Sequence, residues 1–177
     1  EDLKDEISMI KENLNKREGL KKIQYNNWLE DYKKFLTKNI IKKSAQHGDF
    51  AYANVLYDPE INNISIIDWE NYTSIGSPFR DFAGFIIRLM MQSSTNEVNS
   101  FKEKIQDRQK FNDLIIDIQK LSNKHFKCNI DINLIIRYAI LKKTAELISI
   151  KKESVNTYIE LLKILENNNF LVYKEEK

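Results

Sequence analysis

The chain has 177 residues, of which 42% are hydrophobic and 31% are charged, and its formal net charge is +2 at pH 7. This length fits one domain, or one lobe of a larger fold, and the apolar content is sufficient for a hydrophobic core. Lys, Glu and Asp residues are interspersed rather than segregated, so the charge gives no indication of a nucleic-acid partner.

The cysteine count and the hydropathy indicate the cellular setting. Cys128 is the single cysteine of the sequence, so neither an internal disulfide nor a thiolate metal cluster can form within these residues. No apolar run approaches the roughly 20 residues of a membrane span, and no signal-peptide pattern is present. We therefore expect a cytoplasmic protein without a membrane span. The first residue is Glu1 rather than Met, which suggests a processed product or an excised part of a longer protein.

Two amphipathic helices are predicted before residue 42. The first has apolar residues at three- and four-residue steps, namely Leu3, Ile7, Ile10 and Leu14. The second follows Gly19 and extends to Ile41, and its apolar side chains are again separated by Lys and Glu, as an amphipathic helix requires.

The pattern changes at Ser44, and a β-hairpin is predicted shortly after it. Short apolar runs at residues 55–57 and 64–67 enclose the turn-forming residues 58–63. Asn54 directly precedes the hairpin and Asp68 directly follows it. Because a hairpin brings its two ends together, we expect these two residues to be spatial neighbours.

The remainder of the chain is predicted to be helical. A strongly apolar, buried helix occupies residues 78–91, with Pro78 in its first turn. Further helices are expected at about 97–106, 109–124, 131–150 and 153–168, and Asp131 is a good start signal for the third of these. The sequence thus predicts a mainly α fold with one small hairpin, arranged as a single domain over residues 1–177.

A group of polar residues surrounds the predicted hairpin. Its members are His47, Asp49, Asn54, Asp68 and Asp81. An Asp and an Asn five positions apart, followed by an apolar run that ends in Asp, is the order in which kinase-type phosphoryl transfer arranges a base and two metal ligands. Asp and Asn oxygens suit Mg²⁺ rather than zinc. Asn54 and Asp68 fit the role of metal ligands, and Asp49 fits that of a base.

Each of these residues also has a purely structural interpretation. His47 could hold the loop through hydrogen bonds, and Asp49 and Asn54 could be turn residues. Asp68 could simply end a strand, and Asp81 could interact with the dipole of a helix N-terminus. The joint spacing favours the functional interpretation.

Three segments together resemble the aminoglycoside phosphotransferase and choline kinase family, which has a protein-kinase-like fold. They are HGDFAYANVL from residue 47, ISIIDWE from residue 64 and GSPFRDFAGF from residue 76. The match covers residues 47–85, and the flanking helices are similar in order and length to the carboxy-terminal lobe of that fold.

The resemblance implies a role for most of these residues. Asp49 would be the catalytic base, while Asn54 and Asp68 would hold Mg²⁺ on the phosphates of ATP. His47 would support the catalytic loop of residues 47–54, and Asp81 would be a buried carboxylate that anchors this loop through backbone N–H groups. Glu70, in the metal segment 68–70, occupies a family position whose role stays open.

The sequence departs from the family in one respect. Family members have an amino-terminal lobe with a five-stranded sheet, a nucleotide-covering loop and a Lys that pairs with ATP, and none of these is found here. The four glycines form no Gly-rich loop. The chain is therefore expected to be the carboxy-terminal lobe, which by itself would bind nucleotide poorly and would need the other lobe from the same or another chain.

The resulting hypothesis is an ATP- and Mg²⁺-dependent phosphotransferase that acts on a hydroxyl of an amino sugar, a choline-like amino alcohol or a sugar. An acidic site for amino sugars could come from Glu97, Glu103, Asp107, Asp113 and Asp117. An aromatic site for a choline-like cation could use Tyr138 and Tyr158. The alternative hypothesis is a non-catalytic binding or regulatory module that keeps the kinase-lobe scaffold.

Overall fold

Helices make up most of the described structure. A computed structural model describes residues 3–39, 44–77, 79–92, 96–106 and 110–168. Within these ranges there are seven α helices: α1 (Leu3–Asn15), α2 (Tyr25–Asn39), α3 (Arg80–Met91), α4 (Glu97–Gln106), α5 (Lys110–Phe126), α6 (Ile132–Ser149) and α7 (Val155–Asn167).

Helix α6 forms the centre of this helical body. It packs against α1, α2, α3 and α7, and it buries residues on all sides, as a helix in the middle of a core must. Its start is fixed by Asp131, whose side chain accepts a hydrogen bond from the backbone N–H of Leu134 at 3.2 Å. This N-cap confirms the start signal predicted from the sequence.

A polar cluster joins α1 to α6. The Glu6 carboxylate accepts hydrogen bonds from Lys142 Nζ at 2.5 Å and from the Tyr138 hydroxyl. Burial raises the pKa of Glu6, but the hydrogen bonds from Lys142 and Tyr138 offset this effect, and the net pKa lies below its ordinary value of 4.5. Glu6 is therefore a charged clamp between the two helices at neutral pH.

Two small antiparallel sheets lie between α2 and α3. One is the predicted hairpin, in which β2 (Val55–Asp58) pairs with β3 (Asn63–Ile66) in the register Val55↔Ile66 to Asp58↔Asn63. The other pairs β1 (Ser44–Gln46) with β4 (Thr73–Gly76). This second sheet was not predicted, because its strands are short and far apart in the sequence.

Most of the exposed large apolar side chains belong to the segment that contains these sheets. We call this set the hairpin face: Tyr52, Leu56, Tyr57, Ile61, Ile64, Ile66, Ile67, Trp69, Tyr72 and Ile75. It contrasts with the helices, most of whose described apolar side chains belong to one buried cluster.

The second predicted helix differs from the structure at its start. Instead of a helix continuing from Gly19, a 3₁₀ turn at Glu18–Leu20 precedes α2, which begins at Tyr25. Ile23 is buried and so preserves the apolar periodicity, but its N–H donates to Leu20 O at 3.0 Å in a turn. Ile40, Ile41 and Pro78 lie outside the described residues.

The other helices agree with the predicted positions to within about two residues. None of the helices in the described ranges combines the length and the apolar character that crossing a bilayer requires.

Candidate active site

The loop at residues 47–54 is anchored by the first turn of α3. Asp81 Oδ2 accepts a hydrogen bond from the backbone N–H of His47 at 2.6 Å, and Asp81 Oδ1 accepts one from that of Gly48 at 2.9 Å. These are the kind of contacts that the family resemblance implies for Asp81, although this side chain is partly exposed rather than buried. The Asp81 carboxylate thus accepts two charge-assisted hydrogen bonds, which fix the start of the loop.

Gly48 is required by the path of this loop. Its φ of 87° is a left-handed conformation that side-chain-bearing residues rarely adopt. A Cβ atom at this position would lie 2.2 Å from the backbone oxygen of Asn71. The loop therefore approaches the segment after β3 so closely that only glycine fits.

His47 is buried and connects the loop to the end of β3. Its Nε2 lies 2.7 Å from Ile67 O, and the backbone N–H of Asp49 points to its Nδ1 at 3.4 Å. Since Nδ1 accepts, the proton belongs on Nε2, which then donates to Ile67. The ring also lies 4.6 Å from that of Trp69, centroid to centroid. His47 thus supports the loop without facing the solvent.

The base of the hairpin brings Asn54 and Asp68 to one edge. Ile67 N donates to Asn54 O at 3.0 Å and extends the β2–β3 pairing by one step. The Asn54 side chain donates from Nδ2 to Asp49 O at 3.0 Å, which leaves its Oδ1 as an acceptor. Asp68 follows Ile67 directly, so Asn54 and Asp68 flank the open end of the hairpin.

Asp68 has an unusual backbone conformation. Its φ of 64° and ψ of 58° are left-handed, and its exposed carboxylate makes no hydrogen bond or ion pair to any described residue. Asp tolerates this conformation better than most residues, and such backbone strain is often found at functional sites. Glu70 lies two residues later in a 3₁₀ turn, is exposed, and likewise contacts no described partner.

Asn54 and Asp68 offer donors that fit Mg²⁺. In the described residues no group of three or more His, Cys, Asp and Glu side chains is arranged to hold a metal ion. One carboxylate and one amide oxygen nevertheless suit Mg²⁺, which keeps several waters and takes further ligands from substrate phosphates. The donor set is too small and too hard for zinc.

Asp49 projects towards a cavity between α3, α6 and α7. The cavity is about 120 Å³ in volume, and its lining includes Gly48, Asp81, Arg88, Tyr138 and Tyr158. Asp49 Oδ1 forms an ion pair with Arg88 Nη2, and 36% and 51% of the two side chains are exposed. The carboxylate that the sequence assigns to the base is thus in contact with a cation and with an open space.

Arg88 was not identified from the sequence. It lies seven residues after Asp81 on α3, which is about two helical turns, and therefore on the same face of the helix. That spacing could have indicated Arg88, because Asp81, on the same face of α3, was already expected to contact the loop. The contact of Arg88 with Asp49 is nevertheless tertiary and has no local signature.

A second cavity, of about 390 Å³, adjoins the first. Arg88, Lys143 and Tyr158 line both, while Tyr52 and Glu97 line the second. The two tyrosines predicted for a choline-like cation, Tyr138 and Tyr158, do line one cavity. Tyr138, however, stacks on Tyr32 with ring centroids 3.6 Å apart.

The predicted acidic cluster does not assemble around these cavities. Glu97 lines the second cavity, whereas Glu103, Asp113 and Asp117 are exposed and line neither of the two. Asp107 lies outside the described residues. Glu146, which the sequence did not single out, lines the first cavity instead and faces Lys143 at 3.6 Å.

Comparisons of the chain with models of protein families, with curated proteins and with solved structures find no match. The functional interpretation therefore depends on the geometry around Asp49, Asn54 and Asp68.

Proposed function

We propose that the protein is an ATP- and Mg²⁺-dependent phosphotransferase that transfers the γ-phosphate to a hydroxyl of a small molecule. The acceptor would be an amino sugar, a choline-like amino alcohol or a sugar. One observation supports this proposal most strongly: hydrogen bonds join Asp49 to Asn54 and Asn54 to Ile67, so a base and two oxygen ligands lie around one hairpin end.

Phosphoryl transfer requires little from the protein beyond positioning of the reactants and neutralisation of their charge. Asp49 would orient the acceptor hydroxyl and take its proton as the hydroxyl oxygen forms a bond to the γ-phosphorus. The bond from that phosphorus to the ADP oxygen breaks at the same time. Asn54 Oδ1 and the Asp68 carboxylate would hold Mg²⁺, which supplies positive charge to the phosphates.

Supporting residues would keep this geometry rigid. Asp81 holds the backbone at His47 and Gly48, and His47 joins the loop to Ile67. Catalytic groups need such support, because displacement by about 1 Å can cost about a hundredfold in rate.

The hairpin face supports a second part of the proposal. A nucleotide needs a cover for its base, and we propose that a further lobe, from the same polypeptide or another chain, packs on this face. Contiguous exposed apolar patches often mark interaction surfaces.

The single cysteine and the absence of a predicted disulfide fit a cytoplasmic enzyme.

A non-catalytic binding or regulatory module is the second candidate. The Arg88–Asp49 ion pair favours it, because a base held by a guanidinium is less available to a hydroxyl. The Asp68 carboxylate is exposed and has no hydrogen bond or ion pair among the described residues, which favours the enzyme instead, since a scaffold role does not need it.

Phosphate transfer by the longest natural form of the protein tests the proposal. The protein would be incubated with Mg²⁺-ATP and a panel of amino sugars, choline, ethanolamine, sugars and sugar acids. We expect turnover with at least one acceptor, and a loss of about 10²- to 10⁴-fold in Asp49→Asn, which removes the base.

The matched control is Asp58→Asn, since Asp58 is an exposed carboxylate at the far end of the same hairpin. Turnover that survives in the control and is lost in Asp49→Asn supports the enzyme. No turnover, together with no nucleotide-dependent thermal shift, contradicts it and favours the binding module.

A further inference from the structure

The segment that carries the catalytic loop has no positive charge of its own. Residues 44–79 contain no Lys or Arg, although the whole chain has 28 of them. The same segment has five carboxylates, namely Asp49, Asp58, Glu60, Asp68 and Glu70. Cations near Asp49 therefore come from the surrounding helices. The first cavity is lined by Arg80, Arg88, Lys142 and Lys143, and of these Arg88 of α3 and Lys143 of α6 also line the second.

Arg88 and Lys143 lie where the two cavities adjoin. Both line each cavity, and Tyr158 of α7 does so as well. Burial raises the pKa of Tyr158, so its hydroxyl stays protonated at neutral pH and can donate a hydrogen bond. A guanidinium, an ammonium and a hydroxyl thus surround one space, and these are the donors that phosphate and carboxylate groups bind.

The present partners of these cations are held weakly. The Arg88–Asp49 pair is substantially exposed, and exposed ion pairs contribute little to stability. Lys143 lies 3.6 Å from Glu146, beyond ordinary hydrogen-bond distance. An anion that enters the space can therefore replace Asp49 as the partner of Arg88 with little loss of stability.

We propose that Arg88 and Lys143 form an anion-binding subsite beside Asp49, so that the acceptor carries a phosphate or a carboxylate in addition to its hydroxyl. The assignment of the hydroxyl to Asp49 rests on the proposed phosphotransfer. When Arg88 moves to the anion, Asp49 Oδ1 becomes free for the hydroxyl. At the subsite itself, Arg88 and Lys143 would repel a cationic group of the acceptor.

Calorimetric titration of the protein with four related hexose derivatives tests the subsite without ATP. The probes are glucose 6-phosphate, glucuronate, glucose and glucosamine, which share a pyranose ring and differ mainly in charge. We expect at least one of the two anionic probes to bind about tenfold or more tightly than glucose and glucosamine. The two anionic probes distinguish a phosphate from a carboxylate as the preferred group.

Two variants locate the binding. Arg88→Gln should weaken binding of the anionic probe by about tenfold or more, while Arg88→Lys, which keeps the charge, should weaken it less. Arg17→Gln is the matched control, because Arg17 is exposed and lines neither cavity. Circular dichroism would verify that each variant is folded.

Three results would overturn the subsite: tightest binding of glucosamine, no binding of either anionic probe, or equal binding by wild type and Arg88→Gln. Because no nucleotide is used, these results are separate from a failure of phosphotransfer. Anion binding without turnover would leave the subsite standing and contradict the proposed reaction. Turnover of a neutral or cationic acceptor without anion binding would do the reverse.

Discussion

The helical body buries its apolar side chains, whereas the segment of residues 52–76 exposes them. Phe101 and Leu162 are fully buried, while Ile64 and Ile75 are 63% and 66% exposed. Both regions have regular secondary structure with well-defined pairing or packing. The difference shows that the hairpin does not derive its position from a core of its own.

The hairpin is held at its base instead. An isolated two-stranded hairpin is at best marginally stable in water. Here the contacts of Ile67 with His47 and Asn54, and the packing of the Trp69 ring on that of His47 with centroids 4.6 Å apart, attach it to the anchored loop. The candidate site thus lies at the junction of the helical body and a segment with exposed apolar side chains.

The largest effect on stability should come from truncating the buried core. Phe101→Ala should lower the free energy of unfolding by about 3–5 kcal/mol, because it removes a fully buried ring and leaves a cavity. Ile64→Ala in the hairpin should change it by no more than about 0.5 kcal/mol. Urea denaturation of both variants measures the contrast.

Equal losses of stability in Phe101→Ala and Ile64→Ala would contradict this difference between the helices and the hairpin. They would mean that the hairpin face is covered in solution, either by a second copy of the chain or by residues outside the described ranges.

A smaller loss is expected from a methyl group at the loop. Gly48→Ala should destabilise the protein by about 1–3 kcal/mol, since it forces a positive φ and a contact with Asn71 O. Gly84→Ala on α3 is the control: a Cβ there meets nothing within 4 Å, and alanine favours a helix by about 0.5–1 kcal/mol. Thermal denaturation should move in opposite directions, and stabilisation by Gly48→Ala would refute the described loop path.

The smallest of the three effects depends on pH. Glu6→Gln should cost about 1–2 kcal/mol at pH 7, because it weakens the hydrogen bonds from Lys142 and Tyr138. The folded-state pKa of Glu6 is below 4.5, so the unfolded chain takes up the proton first. The contribution of Glu6 is therefore present above about pH 4.5 and is lost as the pH falls through the lower, folded-state pKa.

The measurement is chemical denaturation of wild type and Glu6→Gln between neutral and acidic pH. The two stabilities should converge in acid. Asp58→Asn is the control from the hairpin: Asp58 Oδ1 accepts from Glu60 N at 3.0 Å, and an Asn oxygen can do the same. A constant difference between wild type and Glu6→Gln at every pH would contradict the clamp.

Much of the fold could be predicted from the sequence, because helix periodicity and turn chemistry are local. The apolar spacing of α6 and α7, the Asp131 cap and the hairpin turn each depend on residues within a few positions. The pairing of β1 with β4 joins residues about 30 positions apart, and such short strands carry no local pattern.

Part of the candidate site could also be predicted from local signals. Asn54 and Asp68 were expected to be neighbours because they flank one predicted hairpin. The Arg88–Asp49 pair, and the presence of Lys143 and Tyr158 in the lining of the same cavity, depend on how α3, α6 and α7 pack. Crossing angles and helix rotations are set by the whole core, so no spacing rule predicts these contacts.

The central claim is that Asn54 and Asp68 hold a metal ion on bound nucleotide, and paramagnetic broadening by Mn²⁺ tests it most directly. Mn²⁺ accepts the same hard oxygen ligands as Mg²⁺, and the test does not require the acceptor to be known. With the longest natural form of the protein and ATP present, the account predicts the strongest broadening at amides next to Asn54 and Asp68, and its loss in Asp68→Asn. Broadening centred elsewhere, or unchanged in Asp68→Asn, would contradict the account.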